Sequence, residues 1–344
     1  MNCAPGRLSL PPGSSTIHPT MTLLAVSIAA PDTDSALAAL QRAADGADLA
    51  ELRLDLMHEF DLPRLLQTSP LPLVVTCRPP REGGRWQGSE EDRLDVLRAA
   101  ADLGAAYVDL EWDARAQLAS LNRQRSRVIV SRHDFTRMPA ALSGQAEVLW
   151  TAGADVVKLV GYANWLADVV PVLELLRNAP GPTVAIAMGA CGLATRLLAF
   201  CYPGALLSFA ALDDTANRTA PGQISIATMN DVYRVRSITT STKIIGWLAE
   251  DANDAPAVVT GNAWLAARGL DARLIPLQNA AEEETGATLA RLAQLLPLAG
   301  CLMPVAAGLH RWTPSAPQWS LAPPEIASAL AELLAVQLEP IHGT

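Results

Sequence analysis

The chain has 344 residues, half of them hydrophobic and 18% charged, with a formal net charge of −9. That balance describes a globular protein with room for one large domain and a smaller one, and excludes a disordered chain. It also argues against nucleic acid or an anionic membrane surface as partner, because no basic stripe exists to neutralise phosphates.

Residues 1–20 read as a flexible tail on a cytoplasmic protein, since Pro5, Pro11, Pro12, Gly13 and Pro19 break the apolar centre a secretory signal needs. No apolar run reaches the roughly 18 residues that span a bilayer. From residue 21, short β-branched runs alternate with amphipathic stretches. Strands are expected at Leu23–Ala29, Leu49–Leu56, Leu73–Arg78, Ala106–Trp112, Val128–His133, Val156–Val160, Val184–Met188 and Leu206–Ala210. Helical patterns lie between them, among them Asp34–Ala43, Glu90–Leu103, Ala114–Arg123 and Trp165–Asn178. Eight such units over residues 21–238 predict an α/β fold of the (β/α)8 TIM barrel type. A doubly wound sheet usually stops at about six strands and opens on a glycine-rich turn, and no GxGxxG is present.

Residues 239–344 form a smaller α/β unit without the barrel's repeat. Thr242–Leu248 and Asp271–Leu277 read as strands, and Ala257–Arg268 and Glu282–Leu295 as helices. A Pro/Trp-rich stretch, Pro304–Pro324, and a closing helix, Pro324–Leu338, complete it.

Five scattered cysteines (Cys3, Cys77, Cys191, Cys201, Cys301) with no CxxC pair read as reduced thiols, not a disulfide frame or a zinc site. Lysine is rarer still: Lys158 and Lys243 stand among 26 basic residues, the rest arginine. A chain that meets its need for positive charge with arginine has a special use for a lysine inside an apolar strand, because an amine can lose its proton.

Active residues of such a barrel sit at the C-terminal ends of its strands. Polar groups gather there: Glu51, Arg53 and Asp55 in alternation, Arg78, Glu82 in the following turn, His133, Lys158 and Arg196, with Thr219 to Gln223 after the eighth strand. Each has a plainer reading. Lys158 could snorkel from the sheet, His133 could be a satisfied structural histidine, Glu51 and Arg53 could form an interior ionic layer, and Arg196 could cap a helix. Asp109 and Glu111 are given structural roles. Taken together, a buried lysine can attack a ketone as a neutral amine, a neighbouring histidine can move protons, and arginines can clamp a carboxylate. That set describes Schiff-base chemistry on a small anionic keto acid.

The string Glu51-Leu52-Arg53-Leu54-Asp55, then Thr76-Cys77-Arg78 with Glu82-Gly83-Gly84, then Ser131-Arg132-His133-Asp134-Phe135, resembles the type I 3-dehydroquinate dehydratases in order and spacing. Ala154 to Lys158, Met188-Gly189 with Thr195-Arg196, and Ala220-Pro221-Gly222-Gln223 continue it, so the resemblance covers about residues 21–237. It implies a hydro-lyase of the shikimate pathway that converts 3-dehydroquinate to 3-dehydroshikimate and water. In that light Lys158 resembles the Schiff-base lysine, His133 the general acid and base, and Glu82 the carboxylate that orients it. Arg196 resembles the main carboxylate clamp. Glu51, Arg53 and Arg78 resemble contacts to the substrate's hydroxyl and carbonyl side, and Thr219 and Gln223 lie on the loop that closes over it. Thr195 and Thr219 stand where serine is commoner, each keeping a hydroxyl. The resemblance implies no metal and no organic cofactor. Assembly stays open, a homodimer included. Two alternatives stand beside it: another class I aldolase-like Schiff-base barrel, and a non-catalytic scaffold barrel.

The later segments Thr242 to Gly246, Gly261-Asn262-Ala263 and Gly269 to Leu277 resemble the opening of the shikimate dehydrogenase substrate domain. The departures are large. Ala255 and Ala257 fall where that family has two substrate-binding serines, no lysine follows Gly300–Pro304, and the nicotinamide-binding half is missing. The expectation is a degenerate unit that is not a dehydrogenase.

Overall fold

In the computed structural model, residues 21–213, 219–249, 255–278, 285–305 and 308–321 are described. The expected tail at 1–20 and closing helix at Pro324–Leu338 lie outside them. Strand β1 (Leu23–Ile28) is parallel to both β2 (Leu49–Arg53) and β8 (Leu207–Ala210), so the first and last strands of the run meet. Between them follow β3 (Leu73–Thr76), β4 (Tyr107–Glu111), β5 (Arg127–His133), β6 (Val156–Tyr162) and β7 (Thr183–Met188), each parallel to its predecessor. A parallel bridge between Thr183 and Ala205 brings β7 to the segment leading into β8. The result is a nearly closed eight-stranded parallel barrel.

The helices outside are α1 (Thr33–Ala43), α2 (Leu62–Thr68), α3 (Glu90–Leu103), α4 (Leu142–Thr151), α5 (Val169–Asn178) and α6 (Leu193–Leu198). Their starts are encoded locally: Asp32 accepts from the Ser35 amide, and Ser89 with Asp92 forms a capping box for α3. Two stretches depart from expectation. Ala114–Arg123 is not an α-helix: its residues to Ser120 belong to a 3-10 run at Trp112–Ser120, and the last three follow it outside any helix. Residues Leu54–Leu56 leave the second strand for a 3-10 turn, where the Asp55 carboxylate receives both Nε and an Nη of Arg53 at 2.9 and 2.8 Å.

Strand alternation sorts the side chains into two cores. One set of faces packs outward under the helices, for example Val26, Leu52, Val75, Val108 and Val130. The other fills the barrel, with Ala25, Leu49, Val74, Tyr107, Ile129, Val156, Val184 and Leu207. Continuing along the inward faces gives Ser27, Glu51, Thr76, Asp109, Ser131 and Lys158. A polar layer therefore rests on an apolar floor.

The second unit is a mixed five-stranded sheet in the order β10-β9-β11-β12-β13. Its elements are β9 (Lys243–Ala249), α7 (Ala255–Ala267), β10 (Ala272–Gln278), α8 (Thr285–Leu295), β11 (Leu298–Val305), β12 (Gly308–Thr313) and β13 (Ala316–Leu321). Strand β12 is antiparallel to β11 and β13 antiparallel to β12, so most of the Pro/Trp-rich stretch is a meander. The unit docks on the α5–α6 side of the barrel. Arg291 pairs with Glu174 of α5, Tyr202 donates to the Leu295 carbonyl at 3.1 Å, and the outer apolar core runs on without a break. No described helix is long and apolar enough to cross a membrane.

Arg273 fastens this seam. Buried to 2% exposure, it donates to the Tyr233 carbonyl at 2.7 Å, the Ser237 hydroxyl at 2.6 Å and the Ala272 carbonyl at 2.7 Å. Charge-assisted hydrogen bonds of this kind contribute about 1.5–3 kcal/mol each and are not additive, so Arg273→Ala is expected to lower unfolding free energy by about 3 kcal/mol. Urea denaturation measures it. Lysine at the same position recovers little, because a point charge cannot serve three diverging acceptors.

Candidate active site

At the C-terminal ends of the strands the barrel opens into a pocket of about 540 Å³. It is lined by Glu51, Arg53, Arg78, Glu82, His133, Lys158, Arg196, Thr219 and Gln223, all nine candidates from the sequence. Apolar walls come from Phe135, Val160, Ile186, Met188 and Phe209.

Lys158 stands at the base on β6, 5% exposed. Its Nζ lies 2.9 Å from Asp109 Oδ2 and 3.2 Å from Glu51 Oε1, and 4.8 Å from the centre of the Phe209 ring. Glu51 is held in turn by the Thr76 hydroxyl at 3.0 Å and the Ser27 hydroxyl at 2.7 Å. Burial alone would raise the Glu51 carboxyl, but Lys158 and Arg53 outweigh it and hold it below its ordinary value. The same contest, with Arg78 and Lys158 as cations, holds Asp109 far below the usual carboxylate range. Arg78 joins the layer through Asp109 at 2.9 Å, Glu111 at 2.7 Å and the Ser131 hydroxyl at 2.7 Å. Sequence reasoning gave Asp109 and Glu111 merely structural roles. The signal that would have found Asp109 is its phase: it shares the inward face with Tyr107.

His133 ends β5. Its Nδ1 lies 2.9 Å from Glu82 Oε2, which also accepts the His133 backbone amide at 2.8 Å. The other ring nitrogen, Nε2, is thereby the one left for a ligand. Burial, then Arg78 and Lys158, push the imidazole well below its usual range, so it is neutral at physiological pH. Burial raises Glu82 to about 7. The Glu82 turn depends on its glycines: a Cβ on Gly84 would sit 1.9 Å from the Arg78 carbonyl oxygen, and Gly83 has φ +76°.

Arg196 is different from the other cations. It is 2% exposed on α6, and among the described residues no carboxylate lies within ion-pair distance. Its nitrogens reach carbonyls alone, Pro221 at 3.2 Å and Phe209 at 3.5 Å, and Nε has no acceptor. Burial without a counter-charge lowers it to about 10. A guanidinium left so exposed to its own desolvation is suited to a ligand carboxylate. Above it runs the 219–223 loop. Gln223 Oε1 accepts the Thr219 and Ala220 amides at 3.0 and 3.2 Å, and Gly222, at φ +75°, seats against Gly189, where a Cβ would come within 2.5 Å of the carbonyl oxygen. Thr195 lies outside the pocket, its hydroxyl tying the α6 N-terminus to the Ala187 amide at 3.0 Å.

The sequence profile of the family described as type I 3-dehydroquinase matches residues 24–240, the whole barrel. The chain belongs to that family. Among its family relatives, the 3-dehydroquinate dehydratase of Desulfotalea psychrophila is 36% identical over 220 residues, covering 61% of this chain and 96% of that protein. The chloroplastic bifunctional 3-dehydroquinate dehydratase/shikimate dehydrogenase of Arabidopsis thaliana is 33% identical over 261 residues, covering 73% of this chain. This chain spans 43% of that plant protein's length. Of solved structures, the 3-dehydroquinate dehydratase of Geobacillus kaustophilus superposes with a TM-score of 0.55 at 26% identity, over 63% of this chain and 91% of its own. The S. pombe AroM dehydroquinate dehydratase and shikimate dehydrogenase shares the fold over 84% of this chain and 57% of its own, with a TM-score of 0.52 at 18% identity.

In this family member Asp109 is the anion shared by Lys158 and Arg78. Removing one partner of a buried ionic set costs about 3–5 kcal/mol, because the remaining charges lose compensation. Asp109→Asn is therefore expected to lower unfolding free energy on that scale, as read by urea denaturation near neutral pH. A change under about 1 kcal/mol would contradict the ionic account.

Proposed function

We propose that this chain dehydrates 3-dehydroquinate to 3-dehydroshikimate and water through a Schiff base on Lys158. The observation that carries the reading is the placing of one buried amine, one neutral histidine and one guanidinium without a carboxylate partner among the described residues around a single pocket. An aldolase-like barrel needs the amine but has no use for this histidine and clamp together, and a scaffold barrel has no reason to bury an uncompensated arginine.

Arg196 receives the substrate carboxylate under the 219–223 loop, which directs the C3 ketone toward Lys158. His133 takes one proton from the Lys158 ammonium, and the freed amine adds to the ketone. His133 returns that proton to the departing hydroxyl, so water leaves and the resulting iminium acidifies the neighbouring C2 hydrogen. His133 Nε2 removes that proton, and the electron pair forms an enamine. The enamine expels the C1 hydroxyl as His133 returns the proton to it, so this step releases one water. Water then hydrolyses the imine, freeing product and amine. Glu51, Arg53 and Arg78 hold the hydroxyl and carbonyl side in place. Every step uses the chain's own side chains, with no metal or organic cofactor.

The boundary between barrel and second unit falls at 238/239 on this reading. Residues 239–344 are a degenerate shikimate-dehydrogenase-like substrate domain with no oxidoreductase activity. The alignments that run past the barrel in the plant and S. pombe proteins support it. So does Ala257, which is buried at 3% exposure where a hydroxyl would be needed. A cytoplasmic setting fits five scattered cysteines with no CxxC pair, and a small acid as substrate fits the pocket.

Lys158→Ala is expected to abolish turnover while the fold survives. Borohydride with dehydroquinate should add the product's mass to the parent protein and none to the variant, as read by intact mass spectrometry. Adduct on Lys243 would sink the assignment. The second expectation concerns pH. Glu82 has its carboxyl raised to about 7, so it carries a proton below that pH and the His133 Nδ1–H loses its anionic acceptor. The kcat/KM profile should fall on the acid side with an apparent pKa near 7, and Glu82→Gln should remove that limb along with most of the rate. A limb unchanged in the variant would assign it elsewhere.

A further inference from the structure

Behind the pocket wall, away from any substrate, one cation is fully buried on an outer helix. Arg93 belongs to α3, is 0% exposed, and lines no part of the pocket. Its Nη1 lies 2.6 Å from Glu111 Oε2, an ionic contact outside hydrogen-bond alignment, and donates to the Cys77 carbonyl at 3.0 Å. Nε and Nη2 grip both oxygens of Glu90 at 3.0 and 2.8 Å. The other oxygen of Glu111 holds Arg78, which holds Asp109, which holds Lys158, at 2.7, 2.9 and 2.9 Å. Charges therefore alternate in one line from the outer helix to the amine: Arg93, Glu111, Arg78, Asp109, Lys158.

We propose that Arg93 is a positioning residue for the dehydration, keeping Glu111 an anion so that Arg78 is stretched between Glu111 and Asp109 at the base of the Lys158 pocket. This rests on the function proposed above. The physical case is one of compensation. Glu111 is wholly buried and faces Arg78 and the Cys77 thiol from the third strand's end, Arg93 from α3, Asp109 on its own strand and Glu82 from the turn. Two cations thus oppose several anions and a large desolvation cost. Burial already raises the Glu111 carboxyl, with Arg78 and Arg93 opposing it. Take Arg93 away and one cation remains, already shared with Asp109. Glu111 would then be pushed further up and hold its proton to a higher pH than in the parent, and Arg78 would lose one of the two anions that hold it.

The test is the pH profile of kcat/KM for dehydroquinate, from about pH 5.5 to pH 9, in Arg93→Met, Arg93→Lys, Glu111→Gln and the double variant Arg93→Met/Glu111→Gln. Arg93→Met is expected to lose about tenfold near pH 6 and to recover toward the parent value as Glu111 ionises at higher pH. Arg93→Lys keeps the charge and should keep the parent's limb. Glu111→Gln should lose activity at every pH. Adding Arg93→Met to it should then change kcat/KM by less than about twofold, because Arg93 acts through a carboxylate that is no longer there. The double variant leaves no unpaired charge of this pair in the wall, so it reports on the coupling even where Arg93→Met alone fails to fold. A profile for Arg93→Met that runs parallel to the parent, or a further tenfold loss in the double variant, would assign Arg93 to packing and overturn the proposal. A parent protein that does not turn over dehydroquinate would instead refute the underlying function, so the two failures are separable.

Discussion

The ammonium of Lys158 cannot sit inside a protein barrel without anions, and the rest of the pocket follows from that constraint. Asp109 and Glu51 supply the compensation at 2.9 and 3.2 Å, but buried carboxylates need cations of their own. Arg78 answers Asp109, Glu111 answers Arg78, and Arg93 answers Glu111. The ionic layer grows outward until Glu90, partly exposed on α3, ends it at water. Such a layer is a poor route to stability, since well-packed apolar residues would do as well or better. Its use is to hold Lys158, His133 and Arg196 at fixed places in a largely buried pocket, where their electrostatic effects are large.

Most of this was legible along the chain because strands have a period of two. Once Lys158 is inward, Val156 and Val160 must be inward as well, and the same phase selects Glu51 on β2 and Ser131 and His133 on β5. The glycines of the Glu82 turn and of the 219–223 loop mark places where backbone approaches backbone. What the phase cannot supply is which inward groups touch. Asp109 lies two strands from Lys158, opposite Ile129 in register, while Ser131 is the residue opposite Lys158. The stagger of strands in a closing barrel brings the aspartate to the amine, and no local pattern encodes that.

The errors elsewhere have similar causes. Trp112–Ser120 has helical composition but is drawn into 3-10 turns between β4 and β5. The strands β12 and β13 were hidden by prolines, which ordinarily argue against a strand. Pro304 lies near the end of β11 and Pro317 in the edge strand β13, positions where a missing amide donor is tolerated.

The second unit bears on the site through one short helix. An outer helix of a barrel normally keeps a polar face for water, yet all six residues of α6 are buried. The inner face packs on β7 and β8, and the outer face is covered by β10. Leu193, Ala194, Leu197 and Leu198 are apolar accordingly, and Arg196 is the one charged residue among them, pointing at the pocket. Among the described residues its guanidinium has no carboxylate to fix it, and its place rests on the helix backbone and on the carbonyls of Phe209 and Pro221. Helix position is in turn set from outside by the seam at Arg273 and Tyr202. The second unit thus has a physical part in placing the site. It shields the apolar back of the helix that carries Arg196, and a barrel stripped of it would expose that face to water.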